Sequence, residues 1–211
     1  MSNPASVTAQ TMIGAMYDSA TPSNPKNYFD GWIEELRIWN TTLTVEQLHY
    51  MMNQRLSNNG GLTKGEVLPA DVPGNLSWSK LQGYYRLIAD DISNGETPDR
   101  SATPSVGLLK NIQTSQYNTA PLPYVSEAAN GEWKSRGTWD SNVGGGADLD
   151  NYWTWPSDKG INGETITWNI ARTKHDIIST GKNIYMLGMI SETGEVKLNG
   201  TVDMNTGKGS G

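Results

Sequence analysis

Residues 28–40 read Tyr28-Phe29-Asp30-Gly31-Trp32-Ile33-Glu34-Glu35-Leu36-Arg37-Ile38-Trp39-Asn40, and residues 42–48 continue Thr42-Leu43-Thr44-Val45-Glu46-Gln47-Leu48. The first run is the densest aromatic stretch of the chain and reads as a strand. Side chains of an extended backbone alternate between faces, so Leu36 and Ile38 share one face and Glu35, Arg37 and Trp39 the other. Glu35 and Arg37 are then near neighbours, and an ion pair on a sheet face is a structural device before it is a catalytic one. The second run is a helix start, with Thr44 as N-cap, Gln47 placed to reach back to it, and Leu43 and Leu48 in the two staple positions. Val45, Leu48, Met52 and Leu56 recur at helical spacing and predict the apolar face. Ser57-Asn58-Asn59-Gly60-Gly61 supplies residues that tolerate a left-handed C-cap, so the helix is expected over 44–57 as the only substantial one.

Outward from this block, Thr11 to Tyr17 (TMIGAMY) reads as a short buried strand, and Pro22 and Pro25 mark the loop between. Residues 58–74, with four Gly and two Pro, read as a linker. A strand is expected around Gly83–Ile88, within a segment 75–132. The last part, 133–211, has Trp133, Trp139, Trp153, Trp155 and Trp168 scattered among short apolar runs. Ile184–Ile190 and Val196–Leu198 flank Ser191-Glu192-Thr193-Gly194, which predicts a hairpin turn. Its outer strand has no obvious partner, so this segment is expected to continue beyond the chain. Short strands at these intervals fit a meander or the rungs of a β-solenoid, and the irregular spacing leaves both open.

Composition narrows the function. The chain has 211 residues, net charge −6, no cysteine, two histidines, 23 glycines, eight tryptophans, nine tyrosines and one phenylalanine. The absence of cysteine excludes disulfides, thiolate metal sites and cysteine nucleophiles, and two histidines leave no multi-histidine site. Net acidity opposes general nucleic-acid binding, which needs clustered Lys and Arg. No apolar run is long enough for a spanning helix, so membrane insertion is not expected. Many turns and large aromatics with only 18% charged residues suit an all-β protein.

The block 28–48 resembles the closing segment of a laminin-G-like, concanavalin A-type jelly roll of the pentraxin-related branch. That family closes with an aromatic-x-Gly-x-Ile-acidic-Glu-x-Arg-Ile-Trp-Asn strand and a small-Leu-Ser/Thr helix entry. Phe29, Gly31, Glu35, Arg37, Trp39, Thr44 and Gln47 carry the match, which covers about residues 9–56, so residues 1–57 are taken as the C-terminal part of such a domain. Leu81-Gln82-Gly83-Tyr84-Tyr85, Asp99-Arg100-Ser101 and Gly107-Leu108-Leu109-Lys110-Asn111-Ile112 resemble the opening of the same fold. Opening and closing strands are neighbours in that family, so the strand near Tyr84 is expected to pair with 11–17 or 29–39. Thr119 to Gly211 is similar to a segment that follows laminin-G-like domains in large surface proteins of Bacteroidetes-type bacteria. The fold expected is therefore a partial or rearranged laminin-G-like sandwich followed by a β-rich segment.

The resemblance implies extracellular or cell-surface work without catalysis: adhesion, glycan or surface-polysaccharide binding, or a structural role among neighbouring domains. An alternative is an ancillary carbohydrate-binding module of a polysaccharide-degrading enzyme. Glycosidases need two carboxylates facing across a cleft, and the Glu-x-Asp-x-x-Glu strand of the concanavalin-type hydrolases is missing. Neither histidine stands near a nucleophile-elbow motif. Calcium enters as a candidate cofactor because the family often binds it through loop oxygens, and Asp148 and Asp150 are the most ligand-like pair, with Asp90, Asp91, Asp99 and Asp158 also in loops. Tyr152, Trp153 and Trp155 are the candidate glycan platform, since two tryptophans at i and i+2 share a face.

Overall fold

The computed structural model describes residues 11–16, 25–31, 33–88, 95–110, 123–139 and 155–206. The chain divides into two units, Met1–Ile33 and Glu34–Gly211. In the first, Met16 and Lys26 exchange backbone hydrogen bonds of 2.8 and 3.0 Å, and Phe29 N–H donates to Gly14 O at 2.7 Å. Residues 11–16 do not form the expected strand. The backbone turns at Gly14, whose φ is +74°, and Ile13 and Met16 are exposed. Phe29 is exposed too, and its ring lies where a side chain on Gly31 would have to go.

In the second unit, β1 (Leu36–Trp39) is followed by α1 (Val45–Met52), a hairpin of β2 (Leu56–Asn59) and β3 (Leu62–Gly65), and β4 (Leu81–Tyr85). β1 and β4 pair antiparallel, with Arg37 opposite Tyr84 and Ile38 opposite Gly83. This is the expected neighbourhood of the block at 29–39 and the strand near Tyr84. Short β5 (Glu96–Thr97) and β6 (Gly107–Leu108) pair with each other.

The capping box forms as read: Gln47 N–H donates to Thr44 Oγ1 (3.1 Å) and Thr44 N–H to Gln47 Oε1 (2.9 Å). The helix nonetheless ends at Met52, with Asn53 as its cap. Gly60-Gly61 does not stop it but turns the β2–β3 hairpin. Asn59 pairs with Leu62, and both glycines have positive φ, as a two-residue hairpin loop of this twist requires. The helix also presents the opposite face to the one expected. Gln47, Tyr50 and Met51 are buried, whereas Val45, Leu48 and Met52 are 66%, 44% and 53% exposed. Polar tethers set this rotation. Gln47 Nε2 donates to Pro73 O (2.9 Å) and Tyr50 Oη to Ala70 O (2.9 Å). Both acceptors belong to 58–74, the stretch read as a linker, which also carries β3 and places Leu68 and Val72 in the core.

Beyond β7 (Tyr124–Val125) and β8 (Gly131–Glu132), the chain winds into coils. β9 (Ile170–Thr173), β10 (Ile177–Thr180) and β11 (Ile184–Met186) form one turn, and β12 (Gly188–Ser191), β13 (Val196–Asn199) and β14 (Met204–Thr206) the next. β12 runs parallel to β9, β13 to β10 and β14 to β11, while β7 and β8 lie parallel on the other sides of β9 and β10. Parallel strands stacked in this way make a β-solenoid. The expected hairpin between 184–190 and 196–198 is therefore not present. Leu187 turns a corner between two strands of successive coils, and Val196–Asn199 joins β10 instead. The interior holds Trp133, Trp139, Ala171, Ile177, Ile184 and Met186.

The solenoid and the β1–β4 region share one core. Ile170 packs in the cluster of Tyr50, Met51, Leu56, Leu68, Leu81 and Tyr84. Gly188 meets Leu68 so closely that a Cβ there would overlap the leucine side chain. Asn53 Nδ2 donates to Trp168 O (2.9 Å), and the His49 ring stacks on Trp168 with centroids 3.8 Å apart.

The inverted helix face has a measurable consequence. Met51→Ala is expected to cost about 2–5 kcal/mol by leaving a cavity, and Thr44→Ala about 1 kcal/mol by removing the cap. Leu48→Ala and Val45→Ala should stay within about 0.5 kcal/mol. Urea unfolding of the four variants checks this order; a larger loss from Leu48→Ala than from Met51→Ala would reverse the orientation.

Candidate functional site

The densest polar constellation among the described residues surrounds Tyr84. Arg37 Nη2 donates to Glu35 Oε2 and to Gln54 O, both at 2.7 Å, and Arg37 Nη1 donates to Met51 O at 2.7 Å. Tyr84 Oη donates to Glu35 Oε2 (2.7 Å) and accepts from Leu56 N–H (3.2 Å). The guanidinium carbons of Arg37 and Arg86 stand 5.4 and 5.8 Å from the Tyr84 ring centroid, within cation–π range. Arg55 Nε lies 3.5 Å from Glu35 Oε1, and Arg86 pairs with Glu66. The face carrying Glu35, Arg37 and Trp39 is thus the inner one, and Ile38 on the other face is exposed. Glu35 turns inward from a left-handed backbone, φ +52°.

Most of these groups are matched to one another; Glu35 Oε1 and the Nε atoms of Arg37, Arg55 and Arg86 are buried without a hydrogen-bond partner among the described residues. Burial pushes the Tyr84 hydroxyl above the ordinary tyrosine value; the Arg37 charge pulls it down, and Glu35 pushes it up again. Gln54, which no sequence signal flagged, is fully buried beneath the cluster. Its Nε2 donates to Tyr50 O (2.8 Å) and its Oε1 accepts from Leu68 N–H (2.9 Å). A helical count that runs the helix on to residue 57 hides it, because Gln54 lies in the turn after the true C-terminus.

Of the residues read as ligands, Asp148, Asp150, Tyr152 and Trp153 lie outside the described residues, as do Asp90 and Asp91. Trp155 is half-buried and packs on the cluster around Trp133 and Trp139. Trp139 Nε1 donates to Trp133 O at 2.9 Å, and the two rings meet edge to face at 4.8 Å. Asp99 is committed to the backbone. Its Oδ1 accepts from Tyr84 and Ser101 N–H, both at 2.8 Å, and its Oδ2 from Ser105 N–H at 3.0 Å. Asp158 holds Lys134 at 2.6 Å. Among the described residues no three His, Asp or Glu side chains converge as a metal site.

Among the described residues one hydroxyl–imidazole contact occurs. His175 Nδ1 lies 3.1 Å from Ser126 Oγ and 3.1 Å from Ser126 O. A carbonyl only accepts, so the tautomer with the proton on Nδ1 donates to Ser126 O, and the other tautomer accepts from the hydroxyl. Ser126 Oγ is buried and accepts from Lys174 N–H at 2.8 Å. The pair ties the segment after β7 to the turn after β9, with the hydroxyl held by backbone.

Compared with known proteins, the chain matches no family model, and no curated protein or solved structure is significantly similar to it. Among the described residues no helix is long and apolar enough to cross a membrane.

The Tyr84 cluster sets an alkaline limit on stability. Its folded-state ionisation lies above the unfolded one, so the stability carried by the protonated phenol is complete below about pH 10 and is lost as pH rises through the folded value. In a phenolate absorbance titration, Tyr84→Phe should remove one late-titrating tyrosine and lower stability at neutral pH by about 1–3 kcal/mol, because Glu35 and the Leu56 N–H lose their partner. An unchanged late phase in the variant would show that Tyr84 is not held this way.

Proposed function

We propose that this chain is a non-catalytic structural and adhesive module of a secreted or cell-surface multidomain protein. In this reading residues 34–206 act as a stiff spacer that holds neighbouring modules apart. The observation that carries it is the shared core, in which Leu68 sits over Gly188 and Ile170 packs among the side chains around Tyr84. A sheet region and a solenoid joined by a flexible linker would move independently; joined through a core they bend as one piece. The extracellular setting is supported by the resemblance of 9–56 and 81–112 to the two ends of a laminin-G-like domain. The committed states of Asp99 and Ser126 and the inward packing of Trp155 support a scaffold over a catalytic or glycan-stacking role.

Two measurements test the spacer. Native-state hydrogen exchange should show amides of β4 and β9 opening together with one free energy, and Gly188→Val should destabilise both by at least about 1–3 kcal/mol through overpacking against Leu68. Opening of β9 at a free energy unrelated to that of β4 would mean two separate bodies. A glycan array probed with the intact chain supplies the other arm: saturable binding to a defined polysaccharide would replace the spacer by a carbohydrate-binding module.

A further inference from the structure

The two ends of the solenoid differ. On the side of the first coil the interior is closed by tryptophans. Trp139 bridges Ser126, Trp133 follows β8, and both rings are buried. In the middle coil the side chains of Ala171, Thr173, Ile177, Ser179 and Ile184 have no exposure at all. The next coil carries Met189, Ser191, Val196, Leu198 and Met204 at the same ladder positions. None of these is buried, and Leu198 is 41% exposed. Among the described residues, β12, β13 and β14 each have one hydrogen-bonded neighbour, on the side of the middle coil.

Exposed strand edges are usually guarded by charges. Here two charges of the last coil are turned back, while Glu195 and Asp203 lie exposed in its turns. Lys197 reaches Asp176 at 2.9 Å and Glu192 reaches Arg172 at 3.1 Å, both partners belonging to the preceding coil and its turn. Among the described residues, the outward edge carries the part-exposed apolar side chains of Met189, Val196, Leu198 and Met204 and strand backbone with no ladder partner.

We propose that this end face binds a further polypeptide coil, a strand-forming segment that runs parallel to β12, β13 and β14 and sets apolar side chains over Val196, Leu198 and Met204. Continuity of the ladder argues for this occupant. Tyr124, Ala171 and Met189 already form three steps of one parallel stack, and the step from middle to last coil shows what a covering coil does: Ile177 and Ile184, each with a coil above, are sealed completely. A second copy of the chain fits less well. Its first-coil end carries the Trp133 and Trp139 rings over the interior, and two last coils related by a two-fold axis would meet antiparallel, against the parallel direction of every step already in the stack. The inference rests on the coil geometry and is independent of the spacer reading.

The test adds a synthetic peptide of residues 170–187, the sequence that already lies one coil step from β12–β14, to the intact chain. Saturable binding is expected, with slowed amide exchange confined to 188–206, and no binding of a scrambled peptide. Leu198→Asp should weaken binding at least tenfold with the melting temperature of the free chain unchanged, because Leu198 is exposed; Leu198→Ala serves as the milder variant if the aspartate perturbs the fold. Absence of protection at 188–206, or equal protection with the scrambled peptide, overturns the proposal. Concentration-dependent self-association of the free chain that Leu198→Asp abolishes would assign the face to a second copy and overturn it as well.

Discussion

Arg37 is the side chain on which the arrangement of residues 34–88 turns. It comes from β1, lies under the C-terminal end of α1, and donates to two carbonyls there, that of Met51 in the last turn and that of Gln54 just beyond it. The same guanidinium pairs with Glu35 and packs on the Tyr84 ring from β4. One cation thereby fixes the helix end, the inner face of the two-stranded sheet and the aromatic ring at its centre. Burying such a pair costs several kcal/mol per ion before any attraction is counted. That cost is offset because the planar guanidinium spends its Nη donors on the carbonyls of Met51 and Gln54 and on the Glu35 carboxylate, although its Nε, like those of Arg55 and Arg86, has no hydrogen-bond partner among the described residues.

From that anchor the rest of the packing follows outward. With α1 held by its end, Tyr50 and Gln47 reach across to 68–73, and this tethered segment lays Leu68 against the outer surface of the solenoid at Gly188. The solenoid therefore faces two cores. Alternate residues of β9 serve them separately: Ile170 packs outward into the Tyr84 core, and Ala171 packs inward among the tryptophans. The residue alternation of a strand makes such double service possible, because neighbouring side chains necessarily point apart.

Local signals were legible where the responsible groups are close in sequence. The Thr44–Gln47 box forms as read because all its atoms lie within one turn. The pairing of 36–39 with 81–85 was accessible through resemblance of the two motifs, not through periodicity. The buried face of α1 was not legible, since Val45, Leu48 and Met52 carry the stronger apolar pattern and the deciding partners, Pro73 O and Ala70 O, are 26 and 20 residues away. Gly60-Gly61 fits a helix stop as well as a hairpin turn, and only the strand partner at Leu62–Gly65 separates the two. Strand direction was illegible for a similar reason. Ile184–Ile190 followed by a Gly-containing turn looks the same whether the next strand folds back or climbs to the next level, because the choice depends on where β10 stands. Of the glycan and metal candidates, Trp155 and Asp99 are explained by packing and by backbone satisfaction, two roles that composition alone does not distinguish from binding.

The coil step is not constant. Ile170 lies under Gly188, Ile177 under Val196 and Ile184 under Met204, intervals of 18, 19 and 20 residues. Each corner has absorbed one more residue than the last while the inward positions kept their order. A lineage that tolerates length changes at corners in this way preserves its interior and erases its periodicity. Such a chain drifts out of reach of any fixed-window repeat alignment long before its backbone departs from the stack. The corners are then the places where related chains should differ most in length and least in architecture.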